Sequence, residues 1–408
     1  MLVQKSVKLR IYPNNQQDVI LLEKHFGCRR FVYNYFLNLF NVNYHQGKKK
    51  LSYVDASKIL VDLKKDSETE WLKEVNSQTL QASIKDLDGA YDRFFRKLAK
   101  FPQFKSKHKS RASFKVPQHF DIDWENNLIT IPKFKTPFRF RGKFKGELNK
   151  INSVTISRTP SGKYYASIQG EFVITPKPQV ENCIGVDLGI KDLVITSNGE
   201  IFPNKRFLKS KLKKLKFIQR QHSRKSKDST TRERWRKKLA IQYEKVTNQR
   251  LDYLHQITFQ LINENQVICI ENLNVKGMIK NHKLAQAIND VSWGTLVQFL
   301  TYKCKWNSRE LVVIDRFYPS SKTCSSCSHL INEMPLNVRE WICPSCGTIH
   351  DRDINAAKNI LIQGLNILSG CGTQSDTKQK QQEASSIEES MNAETTKCLS
   401  FVVVHEIL

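Results

Sequence analysis

The 408-residue chain has no run of 18 consecutive apolar residues, which rules out a membrane-spanning helix by length alone. Its first residues, MLVQKSVKLRIYP, lack the basic start, apolar core and small-residue cleavage site of a signal peptide, so the expectation is a protein that stays in the cytoplasm. Cysteine is sparse, 10 in 408 residues, too few for a secreted disulfide scaffold. Acidic residues are short as well: 39 Asp and Glu face 66 Lys and Arg, a net charge of +27. Residues 371–408 run the other way, with three basic and six acidic side chains, so residues 1–370 hold 63 basic against 33 acidic, a net +30. A surplus of that size argues for a polyanionic partner. A merely soluble cationic protein is the plain alternative, and it fits less well because the charge is clustered and interleaved with aromatics.

What is present divides the chain into textures. Residues 3–12 alternate as a strand, and Pro13, Asn14 and Asn15 end it and can cap a helix. Helical spacing follows, with further helices at about 53–65 and 76–99; the stripe Ile84, Leu87, Tyr91, Phe94, Phe95 and Leu98 of the last reads as core. From about 113 to 177 short β-branched and aromatic runs predict a small β module, a barrel, with a hairpin turn at Pro160-Ser161-Gly162. Strand 3–12 is expected to pair there, the helices of 14–110 being inserted between barrel strands. Beyond the linker PKPQ (176–179), strands are predicted over 183–203, 266–271 and 310–317, and helices over 204–265, 293–308 and 353–368. The expected class is α/β and multidomain: 1–13 with 111–178, 14–110, 181–319 with 350–370, an insertion at 320–349, and a disordered tail at 371–408.

The strongest local signal is Cys324-x2-Cys327, fifteen residues, then Cys343-x2-Cys346, the spacing of a structural zinc ribbon. Gly347 suits the second knuckle, where a positive φ is wanted; Ser328 at the equivalent place in the first costs roughly 1 kcal/mol. Two disulfides are the alternative, and a reducing compartment disfavours them. A zinc with four protein ligands has no open position for catalysis.

The second signal is distributed. Asp187 stands at the end of the strand CIGVDL, Glu271 ends VICIE, and Asp353 opens the helix DINAAKNIL, where Asp351 competes with it for the role of helix cap or ligand. Asp353 is preferred because it directly precedes a helix whose small residues permit close packing on a sheet. Three converging carboxylates would repel one another unless divalent cations partnered them; hard oxygen ligands suit Mg²⁺, and a pair of such ions supports phosphodiester hydrolysis. Gly185 and Gly189 are expected to let the backbone turn tightly beside the metal so that a phosphate can approach. Taken singly each acid is a weak signal: Asp187 reads equally well as a turn residue, and Glu271, followed by Asn272 and Leu273, as a strand-end acid.

Basic residues concentrate twice. Residues 92–115 hold nine Lys or Arg and five Phe, a mixture suited to phosphate contact with base stacking, and Arg93, Arg96, Lys97, Lys105, Lys107, Lys109 and Arg111 are the candidates there. Residues 205–250 hold eighteen Lys or Arg against three acids, with Lys213, Lys214, Arg220 and Arg224 as candidates. A solvated helical face is the bland reading of this second run.

GVDLGIKDLVITSNGE, ENLNVKGMIKNHKLAQAINDVSWGTLVQFLTYKCKW, YPSSKTCSSC and WICPSCGTIHDRDINAAKNIL closely resemble the TnpB (OrfB) proteins of insertion sequences, relatives of compact type V CRISPR effectors. The likeness covers about residues 181–365; the N-terminal half agrees more loosely, through IYPNNQQ and the R-x-x-Y-N of Arg30–Asn34. The resemblance implies a RuvC-type nuclease domain of ribonuclease-H-like fold with Asp187, Glu271 and Asp353 as its triad, and an N-terminal wedge-like β-barrel carrying a helical recognition lobe. It also implies a guide RNA from the protein's own element, a double-stranded DNA target beside a short adjacent motif, Mg²⁺-dependent cutting, and a single protein chain in the ribonucleoprotein. Rival readings are a strand-transferring transposase using a similar triad and a non-cleaving RNA-guided repressor. An actin-like ATPase also begins with strand-Asp-Leu-Gly, but no second phosphate loop follows here.

Overall fold

The computed structural model describes residues 1–370 apart from 49–50, 108–109, 143–145 and 336. The expected tail at 371–408 and candidate Lys109 lie outside the described residues. Two compact units are present, one over Leu2–Ile174 and one from Thr175 onward.

In the first unit, β1 (Leu2–Tyr12) stops at Pro13, and Asn15 caps α1 (Gln16–His45) by accepting the Asp18 N–H. There follow α2 (Tyr53–Lys65), a 3₁₀ turn (Glu70–Glu74) and α3 (Ser77–Phe95). The strands β2 (Ala112–Val116), β3 (Asp121–Asp123), β4 (Leu128–Thr130), β5 (Phe138–Arg141), β6 (Glu147–Arg158) and β7 (Tyr164–Val173) complete it. All seven strands form one antiparallel sheet in the linear order β2-β6-β7-β1-β5-β4-β3. Because β1 pairs with both β7 and β5, the helices of 16–95 lie between two strands of one sheet. Leu22 and Phe26 near the start of α1 join the sheet's core, whereas Phe36, Leu37 and Phe40 join a separate core with α2 and α3. The helix expected to reach residue 99 ends at Phe95: Lys97 takes a left-handed conformation and the Leu98 N–H returns to the Arg93 carbonyl, which closes the last turn. Phe95 is therefore 66% exposed and not core as its spacing implied.

In the second unit, β8 (Cys183–Asp187), β9 (Asp192–Thr196) and β10 (Ile201–Pro203) precede α4 (Phe207–Ser223) and α5 (Thr230–Glu264). Next come β11 (Val267–Glu271), the short α6 (Val275–Met278) and α7 (Ala285–Val291), α8 (Trp293–Trp306) and β12 (Glu310–Ile314). A hairpin of β13 (Glu340–Ile342) and β14 (Ile349–Asp351) leads into α9 (Arg352–Leu368). The sheet order is β10-β9-β8-β11-β12, antiparallel as far as β8 and parallel across β8, β11 and β12. Alternation sends Ile184, Val186, Ile268 and Ile270 into one core with α5 and α8. Gly185, Cys269 and Val312 face α9 instead.

Two glycines set how closely α9 lies on the sheet. A Cβ on Gly185 would sit 2.0 Å from the Ala357 carbonyl oxygen, and one on Gly364 would sit 2.2 Å from the Cys269 Sγ. Gly185 thus serves helix-on-strand packing and not a turn beside a phosphate, which corrects the role expected of it. Gly189 does belong to a tight turn, since a Cβ there would lie 2.6 Å from the Asp192 carbonyl oxygen.

Candidate active site and metal centre

Asp187 and Glu271 are the last residues of neighbouring parallel strands, each one step beyond the Val186–Ile270 rung. By alternation both point to the face that α9 covers, as Gly185 and Cys269 do. Asp353 stands in the first turn of α9, one helical turn before the Ala357 that touches Gly185. The strand order reverses direction at β8, so the acids lie at a switch point outside the carboxyl ends of parallel strands, where open α/β sheets bind ligands.

The electrostatics record their proximity. Burial, then the charges of Glu271 and Asp353, push the Asp187 carboxyl up to about 7. Burial also raises Glu271, against the Ser320 hydroxyl, which donates to its Oε1. Asp351 instead caps α9, its Oδ1 accepting the Asp353 and Ile354 N–H groups at 3.0 and 2.9 Å. That leaves the Asp353 carboxylate to the site, where Nη1 of Arg339 donates to both its oxygens at 3.2 and 2.9 Å. Among the described residues the three acids do not close to within 4.8 Å all round, as the cysteines do. Burial and the charges of the other two acids disfavour ionised Asp187, and burial disfavours ionised Glu271, an arrangement that fits hard divalent cations.

The ligand atoms of Cys324, Cys327, Cys343 and Cys346 all lie within 4.8 Å of one another, with Sγ–Sγ separations of 3.7 Å (Cys324–Cys346) and 3.6 Å (Cys327–Cys343). No sulfur is bonded to another. Edges near 3.7 Å suit a tetrahedron with zinc–sulfur bonds of about 2.3 Å. The cluster can hold a zinc ion. Its knuckles repeat one geometry: Ser328 and Gly347 have φ of 60° and 73°, and their N–H groups each donate 2.9 Å to the first cysteine's carbonyl. The hydroxyl and backbone N–H of Thr348 draw the Cys346 thiol down to about 6 while the Cys327 thiol is pushed up to about 12, so the two titrate as a pair in which Cys346 is the thiolate.

Five neighbours of these clusters escaped the sequence reading. His350 Nε2 lies 3.0 Å from the Cys324 Sγ, as an outer partner that orients a ligand. Ser320 and Arg339 touch Glu271 and Asp353. The buried amides of Asn355 and Asn359 bind the carbonyls of Thr323 and Ser320, tying the first knuckle to α9. His350 stands three residues before Asp353 in the quoted GTIHDRD, a usable signal; nothing in spacing marks the other four.

The basic candidates are placed unequally. Arg96, Lys97, Lys107 and Arg111 are exposed, as are Lys213, Lys214, Arg220 and Arg224 on α4 and its C-terminal cap. Arg93 is half-buried. Lys105 is not a free phosphate contact: its Nζ lies 3.3 Å over the Tyr33 ring, burial lowers its ammonium to about 7, and Asn34 binds its backbone N–H and carbonyl at 2.8 Å each. The R-x-x-Y-N residues therefore hold the 105 segment down. Asp290 supplies the cap that α4 lacks locally, accepting the Leu208 and Lys209 N–H groups and pairing with Arg250 at 2.8 Å.

Comparison with known proteins agrees with these features. The OrfB_IS605 family model, described as a probable transposase, matches residues 157–282, and its helix-turn-helix domain matches residues 1–49. The TNB domain of Cas12f1-like proteins matches residues 293–360, which include the cysteine cluster. A Streptomyces pristinaespiralis protein named "Putative RNA-guided DNA endonuclease" is 40% identical over 91% of both chains. Escherichia coli (strain K12) "Putative RNA-guided DNA endonuclease InsQ" is 33% identical over 90% of this chain and 94% of its own. The cryo-EM structure of a Cas12f1–sgRNA–target DNA complex aligns at a TM-score of 0.50 and 13% identity, over 88% of this chain and 98% of that one, a likeness of fold alone. No helix of the described residues is long and apolar enough to cross a membrane. With a relative 40% identical along nine-tenths of its length, an acid-ended parallel strand pair and a four-cysteine ribbon, this chain belongs to the TnpB (OrfB) family of insertion-sequence proteins.

Proposed function

We propose that the protein is an RNA-guided DNA endonuclease that binds a guide RNA from its own element and cuts matching DNA beside a short flanking motif. The observation that carries the chemistry is the meeting of Asp187, Glu271 and Asp353 at the ends of β8 and β11 and the start of α9, with the Asp187 carboxyl pushed up to about 7. The second unit is read as a RuvC-type nuclease domain over 181–319 and 350–370, with the zinc ribbon of 320–349 inserted. The seven-stranded sheet of 1–13 and 111–178 is read as the wedge-like barrel, and 14–110 as the recognition lobe.

In this reading the three carboxylates hold Mg²⁺, with Ser320 orienting Glu271. A pair of such ions, when bound, activates a water and stabilises the leaving oxygen of a phosphodiester. Exposed Arg96, Lys97, Lys107, Arg111, Lys213, Lys214, Arg220 and Arg224 bind phosphates without reading sequence, which is left to RNA–DNA pairing. Phe95 and Phe104, 66% and 58% exposed, are placed for stacking on bases. The protein works as a single chain within a cytoplasmic ribonucleoprotein.

Asp187→Ala is expected to lower Mg²⁺-dependent cutting of a matched duplex by at least about a thousandfold, the scale of losing a central transition-state contact. RNA and target binding should stay within a few-fold of the wild type. Wild-type cutting rates in that variant would sink the assignment, and joined strands in place of cut ends would redirect it to strand transfer.

A further inference from the structure

We propose that Arg339 competes with divalent cations for the Asp353 carboxylate, so that the zinc ribbon sets the cation affinity of the acidic site. The inference rests on the reading of Asp187, Glu271 and Asp353 as cation ligands. One nitrogen of Arg339 donates to both Asp353 oxygens, at 3.2 and 2.9 Å, which places a positive charge on the face of the carboxylate that a hard cation would use. Glu271 meets a neutral hydroxyl instead, that of Ser320. Arg352, the other nearby guanidinium, spends its Nη1 on the carbonyls of Pro335 and Val338 at 3.1 and 3.5 Å.

The ribbon fixes where Arg339 stands. Its carbonyl accepts the Arg352 N–H at 2.7 Å, its chain enters β13, and β13 pairs with the β14 that runs into α9. Guanidinium and carboxylate are thus held at the two ends of one hairpin whose turn carries Cys343 and Cys346. The Arg339 and Asp353 side chains are 49% and 23% exposed, so solvent reaches the pair and exchange is open. An ion pair this exposed costs a competing cation at most about fivefold in affinity, which tunes loading and does not block it. By linkage, a cation on Asp353 loosens Arg339 by the same factor, freeing a guanidinium at the mouth of the site.

The test is Mn²⁺ binding to the full chain at fixed pH and salt, read as free Mn²⁺ by electron paramagnetic resonance. Zinc content and melting temperature establish that each variant is folded. Arg339→Gln is expected to bind Mn²⁺ about two- to fivefold more tightly than the wild type. Arg339→Lys, which keeps the charge on a more strongly hydrated head, should fall between them. Arg352→Gln, which removes a charge that acts on Asp187 but no hydrogen bond to Asp353, should tighten binding less than Arg339→Gln. Equal or weaker binding by Arg339→Gln, or equal tightening by Arg352→Gln, overturns competition at Asp353. Asp187→Asn separates the two layers: if it binds Mn²⁺ as well as the wild type, the ligand reading itself falls. If it loses binding while Arg339→Gln is unchanged, only the role of Arg339 falls.

Discussion

The four thiols of the ribbon and the three carboxylates at the sheet's edge are both sets of metal-type ligands, built in opposite ways. The thiols come in two pairs, each on a knuckle whose φ is already positive, and their sulfurs lie at tetrahedral edge lengths. The carboxylates come from residues 187, 271 and 353, do not close to 4.8 Å, and two of them are disfavoured as ions: Asp187 by burial and its acidic neighbours, Glu271 by burial. Local turns can prebuild a closed site for a soft ion. In the proposed reading, an open site for hard cations would leave charge unbalanced until the ligand arrives, and that imbalance would be available for chemistry. The two sites are also joined, because Ser320, Arg339, Asn355 and Asn359 link the ribbon to the acids and to α9.

The largest expected effect breaks the closed site. Cys343→Ser should abolish stoichiometric zinc and unfold the ribbon, since structural zinc is worth on the order of 10 kcal/mol to small domains. Hydrogen exchange over 320–351 should rise to unprotected rates, with the β8–β11 strands still protected. A ribbon that keeps its protection without zinc would mean its packing on α9 suffices. Next in size is the helix contact that assembles the open site. Gly185→Ala puts a methyl 2.0 Å from the Ala357 oxygen, so α9 must move; a loss of about 2–4 kcal/mol in unfolding free energy is expected, together with reduced cutting. Wild-type stability would show that α9 yields without cost.

Smaller, and opposite in sign, is relief of the charge imbalance. A carboxyl raised in the fold favours its protonated form, so the folded state gains most below the unfolded-chain value near 4 and loses that gain as pH rises towards about 7. In chelator-dialysed protein, Asp187→Asn should therefore raise the melting temperature at pH 7–8, by up to about 3 kcal/mol of stability, and the difference should vanish near pH 4. A constant difference across that range would exclude titration as its cause. The smallest effect sharpens the knuckle comparison: Ser328→Gly should stabilise the zinc-loaded ribbon by about 0.5–1 kcal/mol, measured as slower zinc release to a chelator, because Ser328 sits at φ 60° where glycine is unstrained.

Much of this was legible along the chain. The C-x2-C pairs fix their own knuckles because both thiolates of a pair share one turn, and Pro13, Asn15 and Gly162 punctuate β1, α1 and the β6–β7 hairpin through their own φ or side chains. The fate of the apolar stripe in α3 was not legible, since its end depends on the left-handed Lys97 and not on spacing. Lys105 reads as one more phosphate contact in a basic run, yet Tyr33 and Asn34, some seventy residues earlier, hold it.

By itself the sequence determined a basic, mostly folded chain, a four-cysteine ribbon, three acids at element ends, and the family to which those motifs belong. Only the tertiary structure decided that Asp351 caps while Asp353 faces the site, that Gly185 is a packing contact, and that Arg339 and Ser320 lean on the acids. The physical reason is range. Turn chemistry and ligand spacing act over a few residues, whereas a carboxyl's environment is set by strand register and by how closely a helix distant in sequence can pack.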